Sequence, residues 1–199
     1  MNTIKFELYN PTRPFHVALA EEAAAIQADA EQAGSPLQML ALNPSSMAAH
    51  PLGVIAHSFD KPNRPFAAYN AVTAITPDSM GGIIIEVGGL LVAPELRGQK
   101  LVPRLKNELF PRIIQTLVPE IIKMHGVSPR VITFCNQSSE SINRGLGFVD
   151  VLNVPSVCFE PCSGCPKQQV ACAAGKLCCD TILEISLERL AAFPKEIHL

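Results

Sequence analysis

The chain has 199 residues, 48% hydrophobic and 17% charged, with a formal net charge of −2. That length suits one domain with its own core, and the composition excludes an intrinsically disordered chain. With no run of Lys or Arg there is no footprint for nucleic acid, and the longest apolar stretch, Ile83 to Pro94, is interrupted by Glu86 and two glycines, which excludes a membrane-spanning helix.

The opening segment MNTIKFELYN lacks the basic-then-apolar pattern of a secretory signal, so a cytoplasmic protein is expected. Within it Ile4, Phe6 and Leu8 alternate with polar residues and predict a short strand that Pro11 ends. Thr12 then reads as an N-cap for an Ala- and Glu-rich helix running to Gln32 and stopping at Gly34. Ser35 to Pro51 carries Pro, Asn and Ser punctuation and predicts a short helix with a loop. Strand patterns follow over Gly53–Phe59 and Phe66–Ile75, separated by DKPNRP and closed by TPDSMGG, which describes an antiparallel meander. Its third member is the run GIIIEVGGLLVAP, a central strand buried on both faces.

Leu101 to Lys123 has helical spacing, with Pro103 tolerated in the first turn and Pro111 or Pro119 expected to kink or divide it. A strand over Arg130–Asn136, a short helix over Ser138–Leu146, a strand over Phe148–Phe159 and a last strand over Thr181–Leu187 complete the chain. The whole of 1–199 reads as a single domain, with a cysteine-rich hairpin insertion at 158–180.

The segment VAPELRGQKLVPRLK places a strand end, a Gly-containing loop and a helix start in succession, an arrangement in which backbone N–H groups can cradle an anion. VAPELRGQKL resembles the coenzyme A pyrophosphate loop of the GNAT superfamily of acyl-CoA N-acyltransferases. NQSSESINRGLGF is similar to that superfamily's second signature, which opens on Asn and closes on Gly-Phe after a short helix. The resemblance implies an α+β GNAT fold: a mixed, mostly antiparallel central sheet flanked by helices, here with the cysteine-rich insertion between the last two strands.

It further implies acetyl-CoA as cosubstrate, an unnamed primary amine as acceptor, and direct attack in a ternary complex. Backbone groups near Val92 would hold the pantetheine arm, and Arg97, Gly98, Gln99, Lys100, Leu101 and Val102 would surround the pyrophosphate, with Asn136 opening the second signature. Glu86, on the central strand, stands where several family members carry the general base, and its apolar neighbours Ile85 and Val87 would favour the protonated form. A strand glutamate paired with a cation is the structural alternative. The chain departs from the family at Lys100 and Val102, where small residues are usual, and at Asn143, where many members have the tyrosine that protonates the thiolate. An amide cannot do that, which leaves Tyr69 and Cys135 as substitutes or as core residues. These departures motivate a second reading: a degenerate GNAT-fold module that binds coenzyme A or a regulatory partner.

Six of the seven cysteines lie between Cys158 and Cys179. Their odd total and a reducing compartment disfavour a disulfide framework. Cys162 and Cys165 have the spacing of a zinc knuckle, and Cys172 with Cys178 or Cys179 would complete four thiolates for a structural zinc ion, an iron–sulfur cluster being second and a reduced cluster the alternative. His16, His50, His57, His125 and His198 are scattered; His57, on a predicted strand near the acceptor side, is the one candidate, and a surface or packed histidine is the favoured reading. No nucleic-acid or membrane partner is expected, and a homodimer is left open.

Overall fold

The structure, a computed structural model, describes residues 3–32, 42–60, 63, 65–78, 80–135, 137–152 and 181–193. Seven strands form one sheet: β1 (Ile4–Leu8), β2 (Leu52–Ser58), β3 (Phe66–Pro77), β4 (Ile83–Val92), β5 (Arg130–Cys135), β6 (Val149–Asp150) and β7 (Thr181–Ile185). Their order across it is β1-β2-β3-β4-β5-β7-β6. The β1–β2, β2–β3, β5–β7 and β6–β7 pairs are antiparallel and β4–β5 is parallel, so the sheet is mixed as expected. Among the described residues six α-helices accompany it: α1 (Pro14–Gln32), α2 (Pro44–Ala49), α3 (Leu101–Arg112), α4 (Val118–His125), α5 (Gln137–Gly145) and α6 (Leu187–Ala191). No helix among the described residues is long and apolar enough to cross a membrane.

The chain divides into two compact units, and the long strands β3 and β4 contribute to both. The first comprises Met1–Thr73, Gly89–Leu109 and Pro194–Leu199. Its buried residues come from α1 (Leu19, Ala23), β2 (Val54, Ile55), β3 (Phe66, Tyr69) and α3 (Leu105, Leu109). Asn43 opens α2 with a reciprocal capping box, its side chain accepting from the Ser46 N–H and its own N–H donating to the Ser46 hydroxyl. The expected Thr12 cap is corrected: Thr12 donates both its N–H and its hydroxyl to Asn10 Oδ1, and α1 starts at Pro14, because the Asn10 side chain closes the turn first.

The second unit comprises Ala74–Gly88 and Phe110–Phe193. Ile84, Ile132 and Ile182, one from each of β4, β5 and β7, form its apolar cluster with Phe134 and Val151. Arg130 and Glu184 clasp across β5 and β7 at 2.9 and 2.7 Å, a half-exposed pair worth roughly 1 kcal/mol or less. Between α3 and α4 the chain does not break at a proline. It widens into a π-helical turn over Ile113–Leu117, and the Val118 N–H reaches the Ile113 carbonyl five residues back. Pro111 and Pro119 each remove a donor from the ladder, and the wider turn keeps the path helical between them. The last strand is shorter than expected: Ser186 caps the Arg189 N–H and starts α6, so Leu187 is helical. Of the strand expected over Phe148–Phe159, β6 covers Val149–Asp150, and 153–160 lie outside the described residues.

One side-chain cluster in the first unit has a direct consequence for stability. Glu7, on β1, accepts from Lys5 and Arg13 and lies 3.3 Å from His16 Nε2 and 3.2 Å from His57 Nε2. His16 Nδ1 accepts the Asn10 N–H at 2.9 Å, so its single proton belongs on Nε2, facing Glu7. A second proton on that ring would face the Asn10 N–H. The Lys5 hydrogen bond is the largest influence on the Glu7 carboxyl; burial opposes it, bonds from His57 and Arg13 reinforce it, and the carboxyl is held far below the usual carboxylate range. His16 is held below the ordinary imidazole value, first by burial and then by the Arg13 charge.

In both cases the unfolded group binds a proton before the folded one does, so both contributions are present at neutral pH and lost on acidification. Unfolding free energy from urea titrations should be flat above about pH 7. It should fall first below about 6.5 and again below about 4.3, where the free imidazole and carboxyl titrate. Glu7→Gln should lower stability at neutral pH and flatten the lower stage; a lower stage unchanged in that variant would rule out Glu7 as its source.

Candidate functional site

The first unit carries the anion-loop residues. β4 ends at Val92, which is half-buried, and the Ala93 N–H bonds the Ala67 carbonyl of β3 at 2.9 Å, which fixes where the chain leaves the sheet. A 3-10 turn over Pro94–Leu96 follows, anchored by buried Leu96. The N–H groups of Leu96, Arg97 and Gln99 turn back onto Ala93, Pro94 and Leu96. Gly98 and Lys100 both adopt left-handed backbone, with φ of 82° and 54°, and bracket Gln99 between them. Such local reversals turn backbone N–H groups outward into an anion-binding concavity. At the start of α3 the N–H groups of Leu101 and Val102 have no intrahelical acceptor, while Pro103 has no N–H to leave orphaned.

Arg97, Gly98, Gln99 and Lys100 are exposed, whereas the Leu101 and Val102 side chains are buried. A ligand at this loop would therefore meet the backbone of Leu101 and Val102 and the side chains of the other members. Lys100 is the sole non-glycine in the left-handed region among the described residues, and that conformation costs a Cβ-bearing residue roughly 1 kcal/mol. It explains why a small residue is usual there.

The second unit carries Glu86, half-buried between buried Ile85 and Val87, with its Cα paired to Ile132 of β5. It stands six positions before Val92 on β4, with Gly88 and left-handed Gly89 between. Cys135 ends β5 and is buried, as is Asn143 on α5. The Asn143 amide donates to Cys135 Sγ and to the Ser139 carbonyl, both at 3.1 Å, and its main-chain carbonyl accepts from Leu146 and Phe148. Its Oδ1 is buried without a hydrogen-bond partner among the described residues. Asn143 thus ties α5 to β5 in the place where a proton donor was looked for. Asn136 and the cysteines from Cys158 to Cys179, including Cys162, Cys165, Cys172 and Cys178, lie outside the described residues. Among the described residues no group of three or more His, Cys, Asp or Glu is placed to hold a metal ion.

No protein-family model matches the sequence, and no curated protein matches it. Solved structures do. An acetyltransferase of the GNAT family from Staphylococcus aureus Mu50 superposes with a TM-score of 0.54 at 10% identity, covering 93% of this chain and 99% of that one. The chain has the GNAT fold. A mutant of the toxin AtaT bound to the C-terminus of the antitoxin AtaR shares that GNAT-like architecture at a TM-score of 0.50 and 10% identity, covering 95% of both chains. A Trypanosoma brucei acetyltransferase aligns at a TM-score of 0.46 and 14% identity over 76% of this chain and 96% of its own.

The histidines differ in burial, and His57 has the packed role favoured for it. His57 is buried against Glu7 with Phe15 and Phe59 edge-on to its ring, so it is a core residue of the first unit. His50 instead stands half-buried with Nδ1 2.9 Å from the hydroxyl of Tyr69. The one signal in the sequence was the run Ala49-His50-Pro51, which marks a helix end but not what the imidazole would meet.

If the left-handed backbone at Lys100 is intrinsic to the loop, Lys100→Gly should raise stability by about 1 kcal/mol, read as a higher melting temperature at constant pH. A lower melting temperature would show that the lysine side chain holds the loop by contacts that outweigh its backbone cost.

Proposed function

We propose that the protein transfers an acetyl group from acetyl-CoA to a primary amine by direct attack in a ternary complex. The observation that carries this reading is the exposed Arg97–Lys100 loop, with its two left-handed residues opening helix α3, on a GNAT fold. The coenzyme pyrophosphate would lie on the N–H groups of Gly98, Lys100, Leu101 and Val102, with the Gln99 side chain beside it and the Lys100 ammonium adding a charge-assisted contact, and the pantetheine arm would run beside Val92. Asn136 belongs to the same assignment as the opening of the second signature.

In the reaction the free amine nitrogen attacks the thioester carbonyl carbon, a carbon–nitrogen bond forms, and Glu86 accepts the proton the nitrogen sheds. The carbon–sulfur bond then breaks, and the departing sulfur takes a proton from protonated Glu86 or from water. This balances the step without the tyrosine that position 143 lacks. A cytosolic location fits a thioester cosubstrate.

Saturating acetyl-CoA should raise the melting temperature, since a ligand that binds only the folded state stabilises it. Glu86→Gln should keep that shift while turnover on a panel comprising a polyamine, an aminoglycoside and a lysine peptide falls about a hundredfold or more. A full-rate mutant would remove Glu86 from the chemistry. Coenzyme binding with no product from any amine would favour the second reading, a coenzyme-binding or regulatory module, which the structural commitment of the Asn143 amide supports.

From spacing alone we also propose that Cys162, Cys165, Cys172 and Cys178 hold one structural zinc ion, with Cys179 competing for the fourth place. Elemental analysis of protein purified without chelator should find about one zinc per chain, lost in Cys162→Ser and Cys165→Ser. Metal-free protein with all thiols titrating would discard the zinc.

A further inference from the structure

Among the described histidines, His16 and His57 are buried against Glu7, and His125 is exposed at the end of α4. His50 is different. It is the C-cap of α2, in extended backbone with its N–H on the Met47 carbonyl. That cap places the imidazole over Tyr69 of β3, with ring centroids 5.9 Å apart and planes 22° from parallel.

Tyr69 is fully buried, and the sheet is built around it. A Cβ at position 53 of β2 would stand 2.4 Å from the Tyr69 hydroxyl oxygen, and one at position 89 of β4 would stand 3.6 Å from its Cε1. Glycine at position 53 leaves the phenol its slot, and Gly89 packs on the ring at ordinary contact distance. Burial, with Tyr9 adding, pushes the Tyr69 hydroxyl far above the usual phenol value, so it stays protonated.

A protonated phenol with one neighbour donates to it, and here that neighbour is His50 Nδ1 at 2.9 Å. A neutral imidazole that accepts at Nδ1 carries its proton on Nε2. Burial lowers His50 from the ordinary imidazole value, and no charged group is among the causes. At neutral pH the ring is therefore an uncharged, fixed N–H donor. Among the described residues only Nδ1 is engaged, which leaves Nε2–H for a ligand. An uncharged donor does not repel an ammonium group, as an imidazolium would.

We infer that His50 is a specificity-determining residue whose Nε2–H donates to an oxygen atom carried by the acceptor amine, with Tyr69 as the positioning residue that sets its tautomer. The inference rests on the acetyl-transfer reading above. It narrows the acceptor to amines with a hydroxyl or carbonyl oxygen close to the nitrogen, such as amino alcohols, amino sugars or amino-acid amides, and away from simple alkylamines. Position supports it within the first unit: the Tyr69 ring packs on Gly89, three residues before Val92 on β4.

The test compares ethanolamine with propylamine and glycinamide with isobutylamine, as kcat and KM with acetyl-CoA, in the unmutated protein and in His50→Phe, His50→Gln and Tyr69→Phe. Taking the oxygen-to-carbon ratio of kcat/KM for each enzyme, and then comparing enzymes, cancels the basicity of the amines. A single neutral hydrogen bond is worth about tenfold in that ratio. His50→Phe should collapse the ratio by about tenfold, with the loss in KM. His50→Gln, which retains an N–H donor, should recover part of it. Tyr69→Phe should give an intermediate ratio that recovers as pH is lowered through the imidazole range, because the neutral ring is no longer held in one tautomer whereas the imidazolium always carries a hydrogen on Nε2.

A ratio unchanged in His50→Phe overturns the proposal. So does an equal loss of kcat on all four amines, which would put His50 at the reacting carbon. If no amine is acetylated by the unmutated protein while acetyl-CoA still raises its melting temperature, the acetyl-transfer reading falls and this proposal falls with it. That outcome is distinct from the first two, in which product forms.

Discussion

The first unit is organised by the need to bury a phenol. Tyr69 is among the largest fully buried side chains, and a tyrosine hydroxyl left without a partner in an apolar setting costs roughly 1–3 kcal/mol. Two features follow from that single constraint. Position 53 must lack a side chain, because any Cβ would overlap the hydroxyl. Helix α2 must end where it does, so that His50 arrives at the hydroxyl as its hydrogen-bond partner. Gly89, which touches the ring from β4, is a glycine for its own left-handed backbone and not for want of space. A strand and a helix end are thus set by one side chain.

That arrangement was only partly legible in the sequence. The elements with strong period or punctuation were: β4 as a β-branched run ending at Pro94, α1 as an Ala- and Glu-rich stretch, and the two glycine-containing signatures whose spacing carried the fold. What was missed depends on contacts distant in sequence. His50 and Tyr69 are 19 positions apart, and the Glu7–His57 contact spans 50. Neither pair has a local signature, since each partner alone reads as an ordinary residue on an element of its own. The π-helical turn was missed for a related reason. Two prolines eight positions apart announce a disturbance, but whether the helix kinks, divides or widens is decided by whether the intervening carbonyls find donors.

Asn143 illustrates how a position can match a signature while its chemistry is redirected. The spacing from Asn136 to Phe148 follows the family pattern, and α5 forms where that pattern requires it. Yet the amide uses both its hydrogens on Cys135 and Ser139, within 3.1 Å of each. A tyrosine there would reach further from the helix; the shorter amide turns inward and fastens the helix to the end of β5. The same amide that fastens the helix cannot protonate a thiolate.

Lys100 bears on whether such a scaffold still handles a phosphate-bearing ligand. A non-glycine residue in left-handed backbone on an exposed loop has a conformational cost and, at full exposure, little packing to offset it. Glycine would remove the cost, as it does two residues earlier at Gly98. What glycine would also remove is the ammonium carried by the residue immediately before α3. On a loop whose ligand had been lost, that charge would have nothing to offset the strain. In the presence of a pyrophosphate, one charge-assisted contact of about 1.5–3 kcal/mol exceeds it. The balance of those two magnitudes supports the anion-binding role proposed for the loop.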